Sequence, residues 1–141
     1  MTGRFKYEIL FKYPHMKPGD IAIWERFIKA NPGFFDTVDY DVLIGSGAAF
    51  DTTLNSTEGT SAAALYRKKI DVVGYRSGEI WLVEVKPSAQ FAALGQIGAY
   101  DDLYREEKKP SDRVVAALLT DIVGPDVANI AEKWGVILLT A

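Results

Sequence analysis

The chain has 141 residues, 48% of them hydrophobic and 25% charged, and a formal net charge of −3. This composition is typical of a globular domain and excludes a disordered or low-complexity chain. There is no cysteine, which excludes disulfide scaffolds, thiolate zinc sites and cysteine nucleophiles. No apolar run approaches the roughly 20 residues of a membrane span, and the N-terminus lacks the apolar stretch of a signal peptide. We therefore expect a soluble, cytoplasmic protein without a membrane partner.

The first half of the chain predicts an arm, a helix, a strand and a long loop. Residues 1–18 mix aromatic and basic residues with two prolines, which indicates an arm with at most a short strand. Apolar residues recur at helical spacing over residues 21–30, and Asn31-Pro32-Gly33 ends that helix. Alternating apolar residues predict a strand at 37–44. Residues 45–61 are rich in glycine, serine, threonine and alanine and predict a long loop.

The second half predicts a hairpin followed by alternating helices and strands. The hairpin strands are predicted at 65–73 and 79–86, joined through the glycine-bounded residues 74–78. Pro87-Ser88 is predicted to end the second strand. Further elements follow at 89–107 (helix), 114–120 (buried strand), 126–133 (helix) and 136–139 (strand). The order predicts one α/β domain: an arm (1–18), a core (19–120) and an added C-terminal helix and strand (121–141).

The hairpin carries the polar residues that indicate chemistry. Its second strand is apolar on both faces until Glu84, a pattern of strands buried on both sides, where charges are costly unless paired or liganded. Because side chains alternate, Glu84 and Lys86 share a face. A hairpin centred near residues 76–77 would place Asp71 opposite Leu82, on that same face and diagonal to Glu84. A register one residue off would send Asp71 to the other face.

Two carboxylates and a lysine on one face form a site for a hard divalent cation. Asp71 and Glu84 offer the oxygen ligands that suit Mg²⁺ or Mn²⁺. Lys86 could hold an attacking water or stabilise charge that develops on a phosphate. A salt bridge at the rim of the sheet, between Lys86 and one carboxylate, is the alternative explanation for the same residues.

The run Ile70-Asp71, followed by Glu84-Val85-Lys86, resembles the PD-(D/E)XK motif of the restriction-endonuclease-like nucleases. The sequence departs from the motif in having Ile70 where the proline stands. The resemblance implies an αβββαβ core, a mixed sheet flanked by helices, with the motif on the second and third strands. It also implies that Asp71, Glu84 and the Val85 carbonyl bind the metal.

Two further positions extend the resemblance. Glu25, on the first helix, matches an acidic residue that many members of the superfamily direct to the metal. Gln96 and Tyr100 resemble the Q-x3-Y motif of RecB-type members, which implies that Gln96 orients water or phosphate.

The function expected from these residues is metal-dependent hydrolysis of phosphodiester bonds in nucleic acid, with DNA the favoured substrate. The catalytic residues would be Asp71, Glu84, Lys86 and Gln96, and the cofactor Mg²⁺ or Mn²⁺. A domain this small has little surface for a duplex, so we expect a homodimer or a larger protein complex. The alternative is a catalytically inactive nucleic-acid-binding or assembly module of the same fold. The negative net charge favours that alternative, and the intact acidic pair with its lysine argues against it.

Overall fold

The computed structural model describes residues 2–45 and 68–141, and within them six strands form one sheet that helices cover on both faces. The order along the sheet follows the chain, with antiparallel pairs up to β4 and parallel pairs from β4 to β6. The strands are β1 (Phe5–Lys6), β2 (Thr37–Ile44), β3 (Lys68–Arg76), β4 (Glu79–Ala89), β5 (Arg113–Val123) and β6 (Ile137–Leu139), and the helices are α1 (Pro18–Ala30), α2 (Phe91–Lys108) and α3 (Pro125–Trp134). The predicted mixed sheet flanked by helices, with an added C-terminal helix and strand, is confirmed.

Two apolar cores lie on opposite faces of this sheet. Trp24 and Phe27 of α1 pack on one face, while Leu94 and Ile97 of α2 pack on the other together with α3. Because both faces are covered, β5 is buried continuously from Val114 to Thr120, as its unbroken apolar sequence predicts. No helix in the two described ranges has the length and apolar character needed to span a bilayer.

The hairpin between β3 and β4 differs from the predicted one. Its turn is Ser77-Gly78 alone, with Gly78 at φ +73°, and the pairs run from Arg76–Glu79 to Val72–Val83. Gly74 therefore lies inside β3 and not in the connection. A Cβ atom at Gly74 would collide with the ring of Phe35, so a close contact and not a turn explains this glycine.

Two element boundaries also differ from prediction. β4 continues through Pro87 to Ala89, because β3 no longer pairs with it there and β5 alone supplies partners for Ser88 and Ala89. A proline is tolerated where no ladder hydrogen bond is required of its nitrogen. α1 begins at Pro18, three residues before the predicted start, since a proline at the first helical turn has no N–H group to leave unpaired. The predicted loop at 46–61 and the strand residues 65–67 lie outside the described residues.

Strands β2 and β3 both exchange faces at the same point. Tyr40 and Val72 pack in the core beneath α1, whereas Ile44 and Ile70 pack in the core beneath α2. Residues separated by an even number share a face in a regular strand, so the alternation is broken between these positions. The break falls at Asp41, which has a left-handed backbone with φ +54°.

Candidate active site

The site lies where the ladder between β3 and β4 ends. The last backbone pair is Val72–Val83, and the next residues on the two strands are Asp71 and Glu84. The Asp71 N–H donates to Glu84 Oε1 (3.2 Å), and the Val85 N–H donates to Asp71 Oδ2 (2.9 Å). At this point two side-chain carboxylates, and not backbone carbonyls, accept the backbone N–H groups of the strands. The two carboxylates are thereby held side by side where the strands separate.

The sequence-based register was wrong by two residues, because Val73 lies opposite Leu82 where Asp71 was expected. The short Ser77-Gly78 turn is the reason. A shift of two residues keeps each side chain on its face, whereas a shift of one would have reversed it. The structure therefore brings Asp71 and Glu84 together despite the error in register.

Glu84 is buried, Asp71 beside it is half-buried, and their two carboxylates repel each other. Glu84 is only 2% exposed, and burial, followed by the charge of Asp71, raises its pKa from 4.5 to about 8. Burial also raises the pKa of Asp71, against the opposing effects of the Val85 N–H and of Lys86. Two like charges in a desolvated place favour protonation of at least one group unless a cation joins them.

Lys86 and Asp20 complete the charged surroundings of this pair. The half-buried Lys86 lowers the pKa of Asp71, Glu84 and Asp20, so its ammonium lies within electrostatic range of all three carboxyls. Asp20 belongs to the first turn of α1, and burial raises its pKa. Asp20 is the residue near the site that sequence reasoning did not assign. The signal that could have identified Asp20 in the sequence is its position, as an acidic residue in the first turn of the helix that precedes the motif strands.

The structure places Glu25, the acidic residue assigned from α1, in another environment. Its carboxylate accepts a hydrogen bond from the Tyr13 hydroxyl at 3.0 Å. Tyr13 belongs to the N-terminal arm and is itself buried against Tyr40. The structure thus directs Glu25 to the arm, while Asp20, at the start of the same helix, lies near Lys86.

Helix α2 brings two of the predicted residues toward the pair. The Tyr100 side chain is buried, and the charges of Glu84 and Asp71 contribute to the rise in its pKa, after burial itself. Gln96, one turn earlier, donates through Nε2 to the Tyr100 hydroxyl at 2.6 Å. This bond fixes the glutamine amide and uses its nitrogen, so that its oxygen can still accept a hydrogen bond.

The N-terminal arm borders the site on another side. His15 Nε2 lies 3.8 Å from Asp41 Oδ2, and Lys69 Nζ lies 3.5 Å from the same oxygen. The charge of Asp41 in turn raises the pKa of Asp71. Basic side chains from the arm and from β3 therefore meet next to the acidic pair.

The site offers a few oxygen ligands, which are of the kind that a hard divalent cation prefers. In residues 2–45 and 68–141, no group of three or more histidine, aspartate or glutamate side chains is positioned to hold a metal. The candidate ligands are thus the carboxylates of Asp71 and Glu84, each of which has a second oxygen outside the two bonds described above, and the Val85 carbonyl. The Val85 side chain packs in the core beneath α1, so only its backbone can contribute. Oxygen donors of this kind suit Mg²⁺ or Mn²⁺.

Comparison with known proteins identifies one similar fold. No family model matches the chain, and no curated protein matches it. A solved structure of an EndoMS complex with double-stranded DNA is similar over 94% of this chain, with a TM-score of 0.53 and 18% sequence identity. The match covers 48% of that solved chain, so this chain spans about half its length. At this identity the likeness shows a shared α/β fold.

Proposed function

We propose that this protein is a metal-dependent nuclease that hydrolyses phosphodiester bonds in DNA. The observation that carries the proposal is the pair of Asp71 and Glu84 carboxylates. Backbone N–H groups hold them side by side in a largely desolvated place, with the Lys86 ammonium in range. Such a pair is costly in a folded chain unless a ligand compensates it. DNA is suggested as substrate by the solved complex of the same fold, in which EndoMS is bound to double-stranded DNA.

Asp71, Glu84 and the Val85 carbonyl would hold Mg²⁺ or Mn²⁺. When bound there, the cation would supply positive charge that polarises a phosphoryl oxygen. The chain prepares this place in advance, because the Val85 N–H fixes the Asp71 carboxylate and the Asp71 N–H fixes that of Glu84. Ligands already oriented by hydrogen bonds lose little freedom on binding.

Lys86 and its neighbours act on the water and the phosphate. The Lys86 ammonium would donate a hydrogen bond that orients the attacking water and would offset the negative charge developing on the phosphate. Asp20 adds a negative charge within electrostatic range of Lys86. Gln96, fixed by its bond to Tyr100, would orient water or phosphate through its free oxygen.

The test is cleavage of DNA with and without Mg²⁺ or Mn²⁺ by the native protein and by two lysine variants. Lys86→Ala should lower the rate by about 10²-fold or more, since one preorganised donor to the transition state is lost. Lys133→Ala, an exposed lysine in the last turn of α3, is the matched control and should leave the rate unchanged. Equal rates for both variants, or cleavage that persists in a chelator, would contradict the proposal.

A second candidate function is a nucleic-acid-binding or assembly module without turnover. It is favoured by the lack of a three-ligand acidic or histidine cluster among the described residues and by the net charge of −3. The same assay separates the two candidates. Stable DNA binding by the native protein, with no cleavage in either metal, would establish the module and exclude the nuclease.

A further inference from the structure

The N-terminal arm holds an aromatic ring in full contact with solvent. Phe11 is 108% exposed, which is at least the exposure of an extended peptide. A single exposed apolar side chain is ordinary on a protein surface, and what sets Phe11 apart is its support and its charged surroundings.

Phe11 is nevertheless held in a defined position. Tyr13, two residues on, is buried, and its hydroxyl accepts a hydrogen bond from the Leu10 N–H at 3.0 Å while donating to Glu25 on α1. The ring of Tyr13 packs edge-on against Tyr40, with centroids 5.5 Å apart. The chain is thus anchored immediately before and shortly after Phe11, so the exposed ring is presented by a supported turn.

The same arm reaches the candidate active site within a few residues. His15 lies beside Asp41, whose charge acts on Asp71, and Lys17 acts electrostatically on Asp20. His15 is four positions after Phe11 in the sequence, so their Cα atoms are no more than roughly 14 Å apart. A strand of nucleic acid with a phosphate at the acidic pair, if it runs along the arm, would pass within reach of the Phe11 ring.

The charge of the arm suits such a strand. The protein is negative overall, yet residues 1–17 contain four lysines and arginines against one glutamate. In the described residues Arg4 pairs with Asp39 and His15 lies beside Asp41, while Lys6 and Lys12 are exposed to solvent. Positive charge next to an exposed aromatic ring is the combination that binds single-stranded nucleic acid, because the base stacks and the backbone is neutralised.

We infer that Phe11 stacks on an unpaired base of the substrate, so that the protein engages nucleic acid that is single-stranded beside the bond to be cleaved. This inference rests on the proposed function for the identity of the ligand. In an intact duplex both faces of each base are already covered, which leaves the ring no partner. Phe11 is accordingly a specificity-determining residue for the unpaired substrate.

The test is the affinity of arm variants for labelled oligothymidylate and for a blunt duplex of equal length, measured by fluorescence anisotropy in a chelator. Phe11→Ala and Phe11→Leu should each weaken single-strand binding about 10-fold, because both remove the ring. Phe11→Tyr should retain native affinity. Ile9→Ala, a 43% exposed apolar residue of the same arm, is the matched control and should also retain it. Since the Phe11 ring is fully exposed, equal melting temperatures will show that the variants are folded.

Three results would overturn the inference. If Phe11→Ala binds oligothymidylate as tightly as the native protein, the ring makes no contact with the DNA. Equal losses for single strand and duplex would show a contact that does not need an unpaired base. Absence of binding to either oligonucleotide by the native protein would remove the ligand itself. The binding assay does not measure cleavage. A native protein that binds DNA but fails to cleave it in the cleavage assay would refute the nuclease proposal and leave the Phe11 contact standing.

Discussion

The folded protein should lose stability as the pH rises, and Glu84→Gln should remove most of that loss. Glu84 is buried beside Asp71, and its pKa rises from 4.5 to about 8, chiefly because of burial. Each pKa unit corresponds to about 1.4 kcal/mol. Ionising Glu84 in the folded chain therefore costs on the order of 5 kcal/mol relative to the unfolded chain, a large part of a typical folding free energy.

The pH window follows from the two pKa values. Below about pH 4.5, Glu84 is protonated in both states and imposes no cost. Between about pH 4.5 and 8 the unfolded chain releases this proton while the folded chain keeps it, so the free energy of unfolding falls as pH rises. Above about pH 8 the full cost is present. Asp71, whose pKa is also raised by burial, adds to the same fall.

The assay is urea unfolding in a chelator, followed by the fluorescence of the buried Trp24 and Trp81. Glu84→Gln keeps an oxygen to accept the Asp71 N–H and carries no charge, so at pH 8 it should be more stable than the native protein by on the order of 3 to 5 kcal/mol. At pH 5 the difference should be small. Glu79→Gln, on the same strand and paired with Arg113, is the control and should keep the native pH dependence. Parallel loss of stability in the native protein and in Glu84→Gln would show that ionisation of the buried Glu84 is not its cause.

Three further substitutions test the surrounding structure. Gly74→Ala should lower the free energy of unfolding by about 3 kcal/mol, measured in urea, because its Cβ would collide with the Phe35 ring; an unchanged midpoint would contradict the packing of β3. Gln96→Ala should slow DNA cleavage about 10-fold or more with little change in melting temperature, and an unchanged rate would exclude Gln96 from the site. Tyr13→Phe should cost about 1 to 2 kcal/mol of stability, since its hydroxyl makes two hydrogen bonds; full native stability would show that the arm is not anchored there.

Much of the architecture follows from local sequence patterns. The unbroken apolar run of β5 predicts a strand covered on both faces, and the helical spacing in α1 predicts the face that packs on the sheet. The meeting of Asp71 and Glu84 was predictable despite a misjudged turn, because the two-residue period of a strand is insensitive to a shift of two.

Other features depend on contacts between distant parts of the chain. In the sequence Gly74 resembles a turn residue, and only the folded structure shows that the Phe35 ring packs against it. In the sequence Pro87 resembles the end of a strand. Only the strand pairing shows that β3 has separated from β4 before Pro87. The choice between Asp20 and Glu25 depends on where α1 begins and how it crosses the sheet. Only the packed helix shows that Glu25 meets the arm while Asp20 lies near Lys86.

The most direct test of the proposed metal centre is the position of Mn²⁺ in a crystal of the native protein, located by its anomalous scattering. We predict a peak within coordination distance of one carboxylate oxygen of Asp71 and one of Glu84, and its absence from crystals of Asp71→Asn. A native crystal in which Mn²⁺ is bound elsewhere, or leaves both carboxylates uncoordinated at saturating concentration, would show that Asp71 and Glu84 do not form a metal centre.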